Sequence, residues 1–185
     1  SGNTISNNKI HDQFVGGSAT NGILVSGGNT DWTINGNSFY QSTTRTYTSG
    51  NTHTAIQVSS STAGNNFVIT NNYIGGNTIN AGGTPWTSAG AFANRFIGIQ
   101  LLVAATTATS VQGNTITNFN WSSTSGATGV PGVWCGIYLS AGAANIGTST
   151  GNTIGGTTGT GSVVSTISSS GGVSVGIATG STSTG

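Results

Sequence analysis

Few side chains in this chain can do acid–base, nucleophilic or metal chemistry. They are two carboxylates (Asp12 and Asp31, with no Glu), two histidines (His11 and His53), one cysteine (Cys135) and three bases (Lys9, Arg45 and Arg95). Glycoside hydrolysis uses two carboxyls flanking one bond. Asp12 follows an Asn-rich turn signal and Asp31 precedes a strand-like run, so the two are expected on different sides of the fold. His11 and His53 lack metal-ligand spacing and no cysteine cluster accompanies them, so neither a metal site nor a cofactor is assigned. Cys135 stands two residues before Ile137, which reads as a small inward core residue, since buried thiols are generally inert. The stretch "GGTTGTG" at 155–161 lacks the Lys and following helix of a phosphate loop. No catalytic residue is assigned.

Binding is a better use for the remaining candidates. Tyr47, Trp86, Arg95 and Trp121, with Arg45, His53, Phe92 and Phe119, lie in the variable stretches between regular strand-like runs. Aromatic rings on projecting loops can form a platform for sugars, and loops carry much of protein function. The competing reading, which we favour for Trp86 and Trp121, is that they fold back and pack on the flank of the molecule. "NWS" at 120–122 is one acceptor-type glycosylation sequon.

The elements that must position these residues are legible as a repeat. "GNTI" occurs at 2–5, 76–79, 113–116 and 151–154. One strand type recurs as "NGILVSG", "TAIQVSS", "IGIQLLV", "CGIYLSA" and "VGIATGS". Alternation along a strand predicts an inward column of Ile23, Ile56, Ile99, Ile137 and Ile177. A second inward column is Val25, Val58, Leu101, Leu139 and Thr179, with Leu24, Gln57, Gln100, Tyr138 and Ala178 outward. Another run ends in a corner aligned on Asn8, Asn37, Asn72, Asn114 and Asn152. The residue before each is Asn7, Gly36, Asn71, Gly113 or Gly151, types that tolerate the left-handed region. Two residues after each Asn comes Ile10, Phe39, Ile74, Ile116 or Ile154. The copies at 2–5 and 76–79 sit five residues out of register with Asn8 and Asn72, so Asn3 and Asn77 compete with them as corners.

From each Ile to the next corner Asn the gap is 14 to 16 residues, and from corner to next Ile it is 15 to 27. One half of the repeat is nearly constant and the other carries insertions. Stacked repeats about 4.8 Å apart would align the Asn side chains as a hydrogen-bonded ladder. The outward column Leu, Gln, Gln, Tyr, Ala is not the flat Thr array of an ice-binding surface.

Composition agrees with a packed β protein. Gly, Ser, Thr and Asn supply 109 of 185 residues, yet 34% are hydrophobic and only 3% charged, unlike the charge-rich composition of disordered chains. Net charge of +1 argues against nucleic acid, which is neutralised by many Lys and Arg. No apolar run reaches the roughly 20 residues of a membrane span, and the N-terminus lacks a signal-peptide pattern. One cysteine leaves the redox compartment undecided.

On the Ile columns and the "GN.I" and "NN.I" corners, the chain resembles the right-handed parallel β-helix proteins, the pectate-lyase-like solenoids. Its Ser/Thr/Gly/Asn-rich, charge-poor composition resembles repeat regions of large bacterial surface and secreted proteins. The resemblance implies an all-β, right-handed parallel β-helix of about five coils with long loops on one side. It also implies an extracellular or cell-surface location. Residues 1–185 are expected to be a single segment of a longer solenoid, because neither end carries a polar capping element. Flanking coils or end-to-end self-association would then cover the ends. The expected role is structural or adhesive, with surface glycans or other cell-surface proteins as partners. A polysaccharide lyase or glycoside hydrolase with its acids outside this segment is the first alternative. A self-stacking filament is the second.

Overall fold

The computed structural model describes residues 2–156 and 161–183. Residues 157–160, within the Gly-rich stretch 155–161, therefore lie outside it. Apart from a single 3-10 turn at Ile79–Ala81, the regular elements described are β-strands, grouped into four parallel sheets.

The first sheet carries the Ile column on Thr20–Val25, Thr52–Ser59, Arg95–Leu102, Trp134–Gly142 and Ser174–Ser183, adjacent in that order. The second sheet contains Thr4–Ser6, Thr33–Asn35, Val68–Thr70, Thr109–Gln112 and Ala144–Ile146. The third contains Lys9–His11, Ser38–Tyr40, Tyr73–Ile74, Thr115–Ile116 and Thr153–Ile154. From Thr20 onwards the chain visits first, second and third sheet in turn, then a fourth, before returning to the first. Neighbouring strands in each sheet are thus one repeat apart, the connectivity of a solenoid-like stack and not of a closed barrel.

Register matches the sequence alignment. Ile23, Ile56, Ile99, Ile137 and Ile177 pair in series, and Val25, Val58, Leu101, Leu139 and Thr179 pair beside them. The first four of each column are buried. Burial of each such side chain contributes roughly 1.5–3 kcal/mol. Ile177 is 50% exposed and Thr179 is exposed as well, on the strand at one edge of the sheet, whereas Ile23 and Val25 at the other edge are covered. Ile34, Ile69 and Val111 of the second sheet and Phe39, Ile74 and Ile116 of the third complete the core.

Cys135 departs from the expected inward direction. It is buried, but in a small separate cluster with Ile97 and Ala178, against Tyr138 and Val175. Trp134 and Ile137 face the main core, so strict alternation slips by one between them, at Gly136. The equivalent positions are Gly22, Ala55, Gly98 and Gly176, all small. A Cβ at Gly98 would meet the Gly136 carbonyl oxygen at 2.5 Å and Ile116 Cδ1 at 3.1 Å. At Gly22, Gly98 and Gly136 the third sheet's Phe39, Ile116 and Ile154 pack directly on first-sheet backbone and leave no room for a side chain, whereas Gly176 on the edge strand is open.

The corners form between second and third sheets. Backbone N–H and Nδ2 of Asn8 both donate to Asn37 Oδ1, at 3.0 and 2.9 Å. The same pair of bonds runs from Asn37 to Asn72, from Asn72 to Asn114 and from Asn114 to Asn152, all between 2.9 and 3.0 Å. Each Nδ2 from Asn37 on also donates to the carbonyl of Ile5, Ile34, Ile69 or Val111 in the preceding repeat. Asn8 and Asn72 are therefore the corners. Asn77 instead accepts from the Thr84 N–H within a local loop. Asn7, Gly36, Asn71 and Gly113 are left-handed as expected, with φ between 55° and 68°. Gly151 is not: the turn shifts to Gly147 (φ 70°), and Gln112 holds the intervening residues through Asn145 O, Thr148 Oγ1 and the N–H groups of Ser149 and Thr150.

The long insertions are not simply loops. They carry the fourth sheet, made of Arg45–Thr46, Trp86–Ala89, Phe119–Ser123 and Val163–Ile167. Trp86 pairs with Phe119, and Ser88 with both Arg45 and Trp121. Their inward rings close the core between the third and first sheets.

Candidate functional site

The sequence-derived binding residues separate into two environments. Tyr47, Trp86 and Trp121 are buried in the main core and present no face to an external ligand. Trp86 stacks on Phe119 at 5.3 Å and tilts against Phe14 at 4.9 Å, while Trp121 packs on Phe96 at 5.3 Å and on Tyr47 at 5.7 Å. Burial pushes the Tyr47 phenol up from its ordinary range. The insertions that hold these rings form a sheet whose alternation turns them inward. Arg95 alone of the four lies at an open site.

The titratable groups are engaged structurally. His53 is buried between Phe14 and Tyr47, with ring centroids at 5.1 and 4.6 Å, and its Nδ1 shares a hydrogen bond with Thr20 Oγ1 at 2.9 Å. Burial lowers its pKa to about 4, an effect that the Asn94 side chain partly offsets. Burial pushes the Cys135 thiol up to about 12, so it is protonated and unreactive at neutral pH.

Asp12 gathers a Ser and a His, in an order unsuited to nucleophilic catalysis. Its Oδ2 accepts from Ser42 Oγ at 2.6 Å and contacts His11 Nδ1 at 2.9 Å. Its Oδ1 accepts from Gln41 Nε2 and the Ser42 N–H, and Arg45 Nη2 lies 4.0 Å away. A nucleophile triad places His between Ser and carboxylate, whereas here the carboxylate is in the middle. Burial acts to raise the Asp12 pKa, but the bonds from Ser42 and His11 outweigh it and the net shift is down. Asp31 is at a different turn, before the second sheet, where it accepts from Asn66 Nδ2 at 2.9 Å. The described residues contain no group of three or more His, Cys, Asp or Glu able to hold a metal.

The open site is a cleft of about 320 Å³ on the outer face of the first sheet. The slip in alternation at Ala55 and Gly98 produces its floor. Thr54 and Ile97 turn outward before the slip, and Gln57 and Gln100 turn outward after it. Gln57, Gln100 and Tyr138 stand in register on adjacent strands. Asn21 and Thr52 extend the polar lining, and Arg95 and Pro131 also line the cleft. Arg95 Nε donates to the Gly132 carbonyl at 2.7 Å, which anchors the guanidinium to the Pro131 segment. No hydrogen bond among the described residues occupies the side chains of Gln57, Gln100 and Tyr138 or the terminal nitrogens of Arg95.

Such a lining can exchange hydrogen bonds with a hydroxyl-rich ligand and pack an apolar patch on the partly exposed Tyr138 ring. The outward column was legible in the sequence; the cleft was not, because its lining draws Arg95 and Pro131 from segments the repeat leaves unaligned. Compared with family models, curated proteins and solved structures, the chain matches none.

Proposed function

We propose that this chain is a structural and adhesive repeat segment of a large bacterial surface or secreted protein, built as a right-handed parallel β-helix of about five coils. The first-sheet cleft, in place of the loop aromatics, is the contact point for surface glycans. The observation that carries this reading is an internally bonded stack whose first sheet presents an open polar cleft, with unpartnered amide and phenol groups and the two terminal guanidinium nitrogens of Arg95. Glycan recognition draws on such fixed hydrogen-bonding groups over an apolar contact. An extracellular or cell-surface location and pectate-lyase-like ancestry belong to the same proposal.

The test is a glycan-binding screen of the 185-residue chain, with Gln57→Ala/Gln100→Ala as the cleft variant. Binding that falls about tenfold or more in the variant supports the reading. Cleavage products from incubation with acidic or neutral polysaccharides would overturn it in favour of an enzyme.

A further inference from the structure

We infer that the cleft is selective for a carboxylate-bearing sugar and that Arg95 is the residue that reads the charge. This rests on the glycan-binding reading of the same cleft and goes further by naming the ligand class. Arg95 is the one charged residue lining the cleft. Neither Asp12 nor Asp31 is among the lining residues, and each already has its own hydrogen-bond partners. The guanidinium is therefore unneutralised within the cleft. Its Nε is committed to Gly132 O, which fixes the plane of the group and leaves the two terminal nitrogens for a ligand. A planar fork of that kind matches a carboxylate through two parallel N–H···O bonds.

The rest of the lining suits the remainder of a sugar ring. Gln57 and Gln100 each supply a donor and an acceptor, Asn21 and Thr52 bring a further amide and hydroxyl, and the partly exposed Tyr138 ring provides an apolar contact. The volume, about 320 Å³, is at the lower end of ligand pockets, so recognition is of one or two sugar units.

The experiment is calorimetric titration of the 185-residue chain with mannuronate trisaccharide and, separately, with neutral mannotriose. It is carried out on the native chain and on Arg95→Gln and Arg95→Lys. We expect the acid to bind at least about tenfold more tightly than its neutral counterpart, with affinity falling as salt rises. Arg95→Gln should abolish the preference without weakening mannotriose. Arg95→Lys should restore part of it, since charge returns but the fork does not. Equal binding of both trisaccharides, unchanged by Arg95→Gln, would overturn charge selectivity while leaving glycan binding in the cleft. Failure of both to bind native protein at millimolar concentration would overturn this inference, while binding of any other glycan in the screen lost on Gln57→Ala/Gln100→Ala would keep the broader reading. Amide NMR spectra with undisturbed corner-Asn signals establish that the variants are folded.

Discussion

At the scale of single residues, the side chains with most chemical capacity are used to hold the fold. His53 is an imidazole enclosed by aromatic rings, with a pKa lowered to about 4. In the unfolded chain it titrates near 6.5, so between those values the unfolded state binds the extra proton. Stability should therefore be fully present above about pH 6.5 and fall as pH drops towards 4, by at most about 1.4 kcal/mol per unit. Urea midpoints measured from pH 7.5 to 4.5 check this, and His53→Gln should flatten the profile across that window. Asp12, whose pKa is lowered, loses its contribution only below the ordinary carboxylate value of 3.8, so the two effects fall in different pH ranges. Trp121→Ala should cost about 3–5 kcal/mol, as expected for an aromatic removed from a core. A stability loss of under 1 kcal/mol in thermal unfolding would contradict its placement.

At the scale of elements, two columns govern how the sheets meet. The Asn ladder satisfies buried amides repeat by repeat, so its centre should matter more than its edge. Asn72→Ala leaves the buried Asn37 N–H without its acceptor, takes one of the bonds of Asn37 Nδ2, which keeps Ile5 O, and removes the donor that Asn72 Nδ2 gives to the Ile34 carbonyl. With an unsatisfied buried group costing about 1–3 kcal/mol, we expect a loss of about 2–3 kcal/mol. Asn8→Ala, at an exposed corner whose side chain donates to Ser6 O and Asn37 Oδ1, should cost about 1 kcal/mol. Equal losses in denaturant unfolding would show that the ladder is not cooperative with the core. The small-residue column makes a parallel prediction. Gly98→Ala forces a methyl against Gly136 O and should cost about 1–3 kcal/mol. Gly176→Ala meets nothing within 4 Å and should change stability by no more than about 0.5 kcal/mol.

At the scale of the molecule, cohesion comes from apolar columns and neutral amide bonds in a chain that is only 3% charged. Salt screens interactions between charges and leaves neutral hydrogen bonds largely untouched. The melting temperature at pH 7 should thus move by less than about 3 °C between low-salt buffer and 0.3 M NaCl, the shift produced by roughly 1 kcal/mol in a chain of this size. A larger shift in differential scanning calorimetry would mean that the Asp12 and Arg45 contacts hold more of the fold than their geometry indicates. Binding in the cleft should respond to the same change in salt, because there a single guanidinium is unneutralised. Rigidity and recognition would then be separable by ionic strength.

By itself the sequence determined what recurs: the Ile column, the second apolar column, the Asn corners and the outward Gln57, Gln100 and Tyr138. Periodic local patterns encode these, since each strand faces the same core and each corner the same ladder. Tertiary structure decided what does not recur. It chose Asn8 and Asn72 over Asn3 and Asn77, because only the former lie at ladder height. It moved the last left-handed turn from Gly151 to Gly147, where Gln112 could bond the extra residues. It turned Cys135 and Ile97 outward through the slip at Gly136 and Gly98, and it folded the insertions into a fourth sheet with Tyr47, Trp86 and Trp121 inside. Arg95, at the start of its first-sheet strand, is held at the cleft by its bond to Gly132, 37 residues away, a contact across repeats of unequal length. Spacing along the chain carries no information about such contacts until the sheets have stacked.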